Sequence, residues 1–106
     1  MSVALDLIKK LPAAFNADGA AGTNATIQFN TSKPAYVAIA NGECTAAEGT
    51  AANSDVTITM EDDDFVALMK GELNGMTAFM TGKLQLDGDM MLAQRMPAFF
   101  DASKLA

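Results

Sequence analysis

The hydrophobic period of this 106-residue chain changes from two to about 3.6 close to Met60, and that change most constrains its fold. Residues 25–30 and 56–60 alternate apolar with polar side chains, which is typical of strands with one buried side, and the Tyr, Val and Ile of residues 35–40 also favour a strand. After Met60, apolar residues recur at every third or fourth position, as in amphipathic helices. A further stretch of helical period covers residues 3–15. We therefore predict an α+β fold.

The alternating region divides into four predicted strands, whose turns are marked by small and polar residues. Asn41-Gly42 is the clearest turn, because a two-residue type I′ hairpin needs positive φ at both positions and this pair tolerates it well. The successive hairpin-like connections predict a mostly antiparallel meander. The four strands are residues 25–30, 35–40, 43–48 and 56–60.

Three helices and a fifth strand are predicted after Met60. The acidic run 61–64 favours a helix start, because its carboxylates accept backbone N–H bonds and complement the helix dipole. This helix reaches Lys70, and a short helix at 76–81 presents Met76, Phe79 and Met80 on its apolar side. A strand at Leu84 and Leu86 follows. Asp89 then caps a last helix, and we expect Pro97, like Pro12 in the first helix, to end or kink it.

Composition excludes several partners. The chain has 13 acidic and 7 basic residues, a formal net charge of -6, which repels polyanions. We therefore predict no nucleic-acid partner and at most transient membrane contact. A single cysteine, Cys44, and an N-terminus without a secretion signal indicate a cytoplasmic protein. Ser103-Lys104-Leu105 is similar to a peroxisomal address, but Ala106 follows it, so a peroxisomal location is not expected.

Catalytic and metal-binding signals are weak. The chain has no histidine, which excludes Ser–His and Cys–His nucleophiles. The acidic run lacks the ligand spacing of a calcium loop, and Asp87 and Asp89 flank a glycine in a predicted turn. We predict no enzyme activity, no metal and no cofactor.

Methionine is concentrated in the second half, where six of the eight methionines lie at or beyond Met69. Flexible, polarizable Met side chains can fill an irregular core or line a wall that adapts to apolar guests. From composition, both interpretations stay open.

The order of short motifs over roughly residues 5 to 97 resembles the sterol carrier protein type-2 family. Upstream matches are Pro12 with Phe15, Gln28-Phe29, Asn41-Gly42-Glu43-Cys44 and Val56-Thr57-Ile58-Thr59. The motifs that carry the resemblance in the second half are Asp63-Asp64-Phe65, Gly71-Glu72-Leu73-Asn74, Ala78-Phe79-Met80, Gly82-Lys83-Leu84 and Gly88-Asp89-Met90.

The resemblance implies one lipid-binding domain over residues 1–106. It implies a five-stranded mixed, mostly antiparallel sheet with helices packed on one face around an apolar tunnel. Its expected function is non-catalytic binding and transfer or sequestration of fatty acids, acyl-CoA, phospholipids or sterols. The alternative is a protein-interaction or regulatory domain that uses its Met-rich face. The lipid-lining residues that the resemblance implies are Phe65, Leu68, Met69, Met76, Phe79, Met80, Leu84, Leu86, Met90, Met96 and Phe99, the last near a mouth.

Overall fold

The computed structural model describes residues 3–101 and residue 104. Ser103, Leu105 and Ala106, on which the prediction about a peroxisomal address depends, lie outside the described residues. The elements in chain order are α1 (Val3–Ala14), β1 (Ala25–Asn30), β2 (Ala35–Ala40), β3 (Glu43–Glu48), β4 (Val56–Met60), α2 (Asp62–Met69), α3 (Gly75–Met80), β5 (Leu84–Gly88) and α4 (Met90–Phe99).

The five strands form one mixed sheet in the order β3-β2-β1-β4-β5. The pairs β1–β2, β2–β3 and β4–β5 are antiparallel, whereas β1 and β4 are parallel. The predicted α+β fold with a mixed, mostly antiparallel sheet is confirmed. The simple meander is wrong, because the chain leaves the edge strand β3 and crosses β2 and β1 before it enters β4.

Gln28 in the middle of β1 holds this crossover. Its side chain lies on the sheet face opposite to Ile27 and Phe29, yet it is only 2% exposed. Its Nε2 donates to the carbonyl oxygens of Ala35 (3.2 Å) and Gly49 (3.1 Å), and its Oε1 accepts from Ala51 N (2.8 Å). The connection between β3 and β4 is therefore hydrogen-bonded to the centre of the sheet.

The core lies on the other sheet face, which we call the inner face. It is built by alternate strand residues that are fully buried, including Ile27, Phe29, Val37 and Ile58. Helix α1 packs against β2 and β3, α3 against β5, and α4 against β4 and β5. The Phe65 ring of α2 meets the Phe29 ring edge-on at 5.1 Å between centroids. The helices thus cover most of the inner face.

Helix ends differ from prediction in two respects. Neither proline ends its helix, because α1 continues past Pro12 to Ala14 and α4 past Pro97 to Phe99, whereas the alternative outcome, a kink, stays a prediction. Bonds from outside hold both ends: Asp101 N donates to Ala14 O (2.8 Å) and Asn16 N to Phe99 O (2.6 Å). The Glu61 side chain makes no cap bond to α2.

Asp62 makes a different contact from the predicted cap. Its carboxylate accepts from Ser32 N (2.8 Å) and Ser32 Oγ (2.6 Å), which ties α2 to the turn between β1 and β2. The predicted cap of the last helix is confirmed, since Asp89 Oδ1 accepts from Leu92 N (3.0 Å).

Candidate functional site

The region predicted to bind lipid lies at one edge of the sheet, where α3 and α4 flank β5. Leu84 and Leu86 pair with Met60 and Ile58, so all four side chains lie on the inner face. Leu84 is buried, but Leu86 is only half-buried. The two helices therefore leave part of the apolar face of β5 uncovered.

Helix α3 presents its apolar side to solvent. Met76 is 62% exposed and Met80 is 78% exposed, with Phe79 between them also exposed. The buried residue of this helix is Ala78. Met76, Phe79 and Met80 share one helix side, as their spacing predicts, but this side faces solvent and the small Ala78 side chain faces the protein interior. That these three residues line a lipid site stays a prediction.

Helix α4 adds Met90 and Met91, both exposed, at its first turn. We call Met76, Phe79, Met80, Met90 and Met91 the apolar patch. Among the described residues the only other exposed large apolar side chain is Val3, on α1. The five residues lie on the two helices that both contact β5. Several exposed apolar residues around one strand are typical of an interaction or ligand site, whereas single exposed residues need no explanation.

Local hydrogen bonds define both ends of α3. The Asn74 side chain caps the helix by accepting from Met76 N (2.8 Å) and Thr77 N (3.2 Å). At the other end, Gly82 has a φ of 81°, and Lys83 N donates to Ala78 O (2.9 Å). Asn74 was not predicted as a cap, although an Asn before a short apolar helix is a recognisable signal.

Helix α4 is anchored by its C-terminal half. Arg95 Nη2 donates to Thr23 Oγ1 (2.7 Å), and the guanidinium lies 5.5 Å from the centroid of the Phe99 ring. Phe99 packs on Phe100, whose ring contacts Phe15. The C-terminal half is therefore joined to the N-terminal segment, while the beginning of the helix, which holds Met90 and Met91, is attached through the bond from Asp89 N to Asp55 O (2.9 Å).

The predicted lining residues separate into three groups. Fully or nearly fully buried are Phe65, Met69, Leu84, Met96 and Phe99, which belong to the core. Half-buried are Leu68 and Leu86, and exposed are Met76, Phe79, Met80 and Met90. Met91 was absent from the prediction although it is 72% exposed, and its place beside Met90 is the signal that could have added it.

Two cavities of the described residues measure about 760 and 460 Å³, and both are open to solvent. The larger lies between the end of α1 and the end of α4, around Phe15 and Phe100. The smaller lies where β4 ends and β5 begins. Neither cavity is lined by a predicted lining residue, so neither is the expected apolar tunnel.

The part of the chain described here shows neither an activated thiol nor a cluster of metal-ligating side chains. Burial raises the pKa of the Cys44 thiol from 9.0 to about 11, which suppresses the nucleophilic thiolate. Within residues 3–101 and 104, no three potential metal-ligating side chains come together. No helix in the same ranges is long and apolar enough to cross a membrane.

Residues 5–101 match the SCP-2 sterol transfer family. The chain belongs to this family. Its members share the α+β sheet and helix arrangement described above. The solution structure of palmitated SCP2L2 from Aedes aegypti is 26% identical, with a TM-score of 0.71, and the match covers 99% of this chain and 95% of that one.

Curated relatives in the SCP-2 family are longer proteins. Sterol carrier protein 2 of Bos taurus is 42% identical over 60 residues, which is 57% of this chain and 11% of the relative. The peroxisomal multifunctional enzyme A of Dictyostelium discoideum is 49% identical over 51 residues, which is 48% of this chain and 12% of that enzyme. The matched segments thus span about a tenth of these relatives.

Proposed function

We propose that this SCP-2 family chain is a single lipid-binding domain that takes up one lipid acyl chain at the apolar patch and the uncovered part of β5, and transfers or sequesters it. The observation that carries the proposal is the outward apolar side of α3, with Met76, Phe79 and Met80 beside the half-buried Leu86. The family match and the palmitated relative support the choice of lipid as ligand.

The energetics allow useful affinity without strong polar contacts. Each methylene removed from water contributes about 0.8 kcal/mol, so ten of them contribute roughly 8 kcal/mol before the entropy costs of binding. A Kd of about 1 µM needs about 8 kcal/mol after those costs are subtracted, so we expect it only for acyl chains that bury more than about ten methylenes. Because Met side chains repack readily, we expect the site to accept acyl chains of different length.

Binding requires no chemistry, and we propose a non-catalytic protein. The raised pKa of Cys44 and the lack of histidine support this. We also propose a cytoplasmic location, on the basis of the acidic composition and the single cysteine. The alternative of a protein-interaction domain is not favoured by the family match.

The direct test places a charge on each half of the apolar patch. Met80→Asp and Met91→Asp change highly exposed side chains, so the fold should survive. We expect each variant to bind a fluorescent fatty acid at least tenfold more weakly, because an ionised carboxylate in the contact would be desolvated. Fluorescence titration measures the affinity, and circular dichroism verifies the fold.

Val3→Asp is the matched control, because Val3 is 65% exposed on α1, which packs against β2 and β3 at the other edge of the sheet from β5. It adds the same charge outside the patch and should leave affinity unchanged. If all three variants bind like the wild-type protein, lipid does not occupy the patch.

A further inference from the structure

Arg95 is the only arginine in the chain, and it lies on α4 four residues after Met91. Its side chain is exposed, like that of Met91. Residues four positions apart lie on the same side of a helix, about 6 Å apart along its axis. Because Met91 belongs to the apolar patch, a cation lies one helical turn beyond the α4 part of that patch.

Two contacts hold the guanidinium of Arg95 in place. Its Nη2 donates to Thr23 Oγ1 (2.7 Å), and its Cζ lies 5.5 Å from the centroid of the Phe99 ring. Thr23 and Phe99 are both buried, so the guanidinium is attached to the protein interior. A guanidinium has five N–H donors, and Thr23 accepts from one of them. A side chain that is already ordered loses less conformational entropy when it binds a ligand, which favours binding.

No carboxylate among the described residues forms an ion pair with Arg95. Within that part of the chain, the ion pair joins Lys9 to Glu48. The chain nevertheless has 13 acidic residues and only 7 basic ones. Lys83, the first cation after α3, differs from Arg95 because it shares the smaller cavity with two carboxylates. Arg95 is therefore the better candidate for binding an anion that comes from outside the protein.

We propose that Arg95 binds the carboxylate of an unesterified fatty acid whose hydrocarbon chain covers Met91 and the neighbouring part of the apolar patch. This inference rests on the proposed function, because the patch must hold the chain. A carboxylate accepts two parallel N–H bonds from a guanidinium, so the pair fixes the position of the carboxylate. The net charge of -6 repels a fatty-acid anion, and Arg95 supplies the local attraction that opposes this repulsion.

Arg95 then acts as a specificity-determining residue. The apolar patch selects ligands by apolar surface alone, whereas Arg95 adds a requirement for an anion at the end of the chain. A sterol has no carboxylate, and an esterified acyl chain has lost its own, so neither forms the paired bonds. Because Arg95 is exposed, we expect a moderate effect, about fivefold in affinity.

The test compares laurate with dodecanol, which have chains of the same length and differ in the carboxylate. Each lipid displaces a pyrene-labelled fatty alcohol, a probe without a carboxylate, from the wild-type protein and from Arg95→Gln at pH 8. We expect the variant to bind laurate about fivefold more weakly and dodecanol unchanged. A purely structural role of Arg95 in holding α4 would instead weaken both lipids equally.

Matched variants separate Arg95 from overall charge. Lys33→Gln removes the same charge from an exposed residue in the turn that follows β1, whereas Thr23 precedes β1, so both affinities should stay unchanged. Lys83→Gln tests the other cation near α3 and should also change neither affinity. Arg95→Lys keeps the charge but loses the planar fork, so it should weaken laurate by about twofold, half of the logarithm of the Arg95→Gln effect.

The outcomes distinguish this inference from the proposed function. Equal weakening of laurate and dodecanol by Arg95→Gln, or a loss of laurate affinity in Lys33→Gln or Lys83→Gln as large as in Arg95→Gln, would overturn the role of Arg95 and leave lipid binding intact. If circular dichroism shows that Arg95→Gln does not fold, an Arg95→Lys variant with unchanged laurate affinity would overturn it. Failure of the probe, laurate and dodecanol to bind the wild-type protein would refute the proposed function as well.

Discussion

Replacing Gln28 with Leu tests whether one side chain holds the crossover that places β4 and β5. Leucine keeps a side chain of similar size but removes the bonds to Ala35 O, Gly49 O and Ala51 N. Because the Gln28 side chain is only 2% exposed, water would not reach the backbone groups that lose their partner. The connection between β3 and β4 would then lose its attachment to the sheet centre.

The expected cost follows from the three bonds to backbone groups, because the fourth bond, from Gln28 Nε2 to Asn30 Oδ1 (3.3 Å), goes to a side chain that water can reach. A net hydrogen bond contributes about 1 kcal/mol, and leaving a buried partner unpaired costs about 1–3 kcal/mol, so we expect a loss of about 3 kcal/mol. At this domain size, that corresponds to a decrease in Tm of roughly 12–24 °C. Urea unfolding followed by circular dichroism measures the free energy of unfolding and the m-value together.

Gln85→Leu provides the comparison, because Gln85 lies on the same sheet face but is exposed. Its effect on stability should stay within about 0.5 kcal/mol, the usual range for surface substitutions. A Gln28→Leu variant that loses less than about 1 kcal/mol would refute the role assigned to this side chain, because the crossover would then be held by other contacts.

Two further substitutions or reagents probe other parts of the fold. Gly19→Ala would place a Cβ 2.1 Å from Ala98 O, so we expect it to lower the free energy of unfolding in urea by about 1–3 kcal/mol. A decrease of less than about 0.5 kcal/mol would contradict the close packing of α4 on the connection between α1 and β1. Burial raises the pKa of Cys44 from 9.0 to about 11, so iodoacetamide at pH 8 should alkylate the folded protein about tenfold more slowly than the urea-unfolded chain. The thiolate fraction is about a hundredfold smaller in the folded protein, but a thiolate of higher pKa is a better nucleophile, which offsets part of the difference. Equal alkylation rates for the folded and unfolded protein would contradict the raised pKa. The raised pKa also contributes stability to the fold below pH 9, and this contribution is lost as the pH rises from 9 to 11.

The sequence predicts local geometry well, because local chemistry determines it. Asn41 and Gly42 have φ values of 55° and 77°, as a type I′ turn requires, and the strands on either side have the predicted bounds. The Asp89 cap depends on a bond between neighbours in the chain. In each case the residues that decide the geometry are adjacent, so a short pattern contains the information.

The parallel pairing of β1 with β4 could not be predicted in the same way. The connection between β3 and β4 consists of small residues with no directional signal, and its path depends on Gln28, which is more than twenty positions away from Ala51. Alternation in β1 gives Gln28 an outward position, and nothing local shows that a loop will cover it. The meander prediction is wrong for this reason.

In the candidate site, too, the sequence pattern predicts local features but not those that depend on tertiary packing. Periodicity identifies Met69, Met76, Met80 and Met96 as members of apolar helix sides, but Met69 and Met96 are buried whereas Met76 and Met80 are exposed. Which side of a six-residue helix faces the sheet depends on its two ends, because so short a helix has little stability of its own. Burial of each methionine is therefore a tertiary property.

The orientation of α3 is the strongest physical argument for a ligand at this edge. A helix free to rotate would bury Met76, Phe79 and Met80 rather than Ala78, because burying one such large side chain contributes about 1.5–3 kcal/mol. In the structure Ala78 is buried instead, and the Asn74 cap and the bond from Lys83 N to Ala78 O define the two ends of the helix. The fold thus leaves apolar surface exposed to water beside the half-buried Leu86. A bound acyl chain that covers these side chains would supply the hydrophobic free energy that α3 does not gain from packing on the sheet.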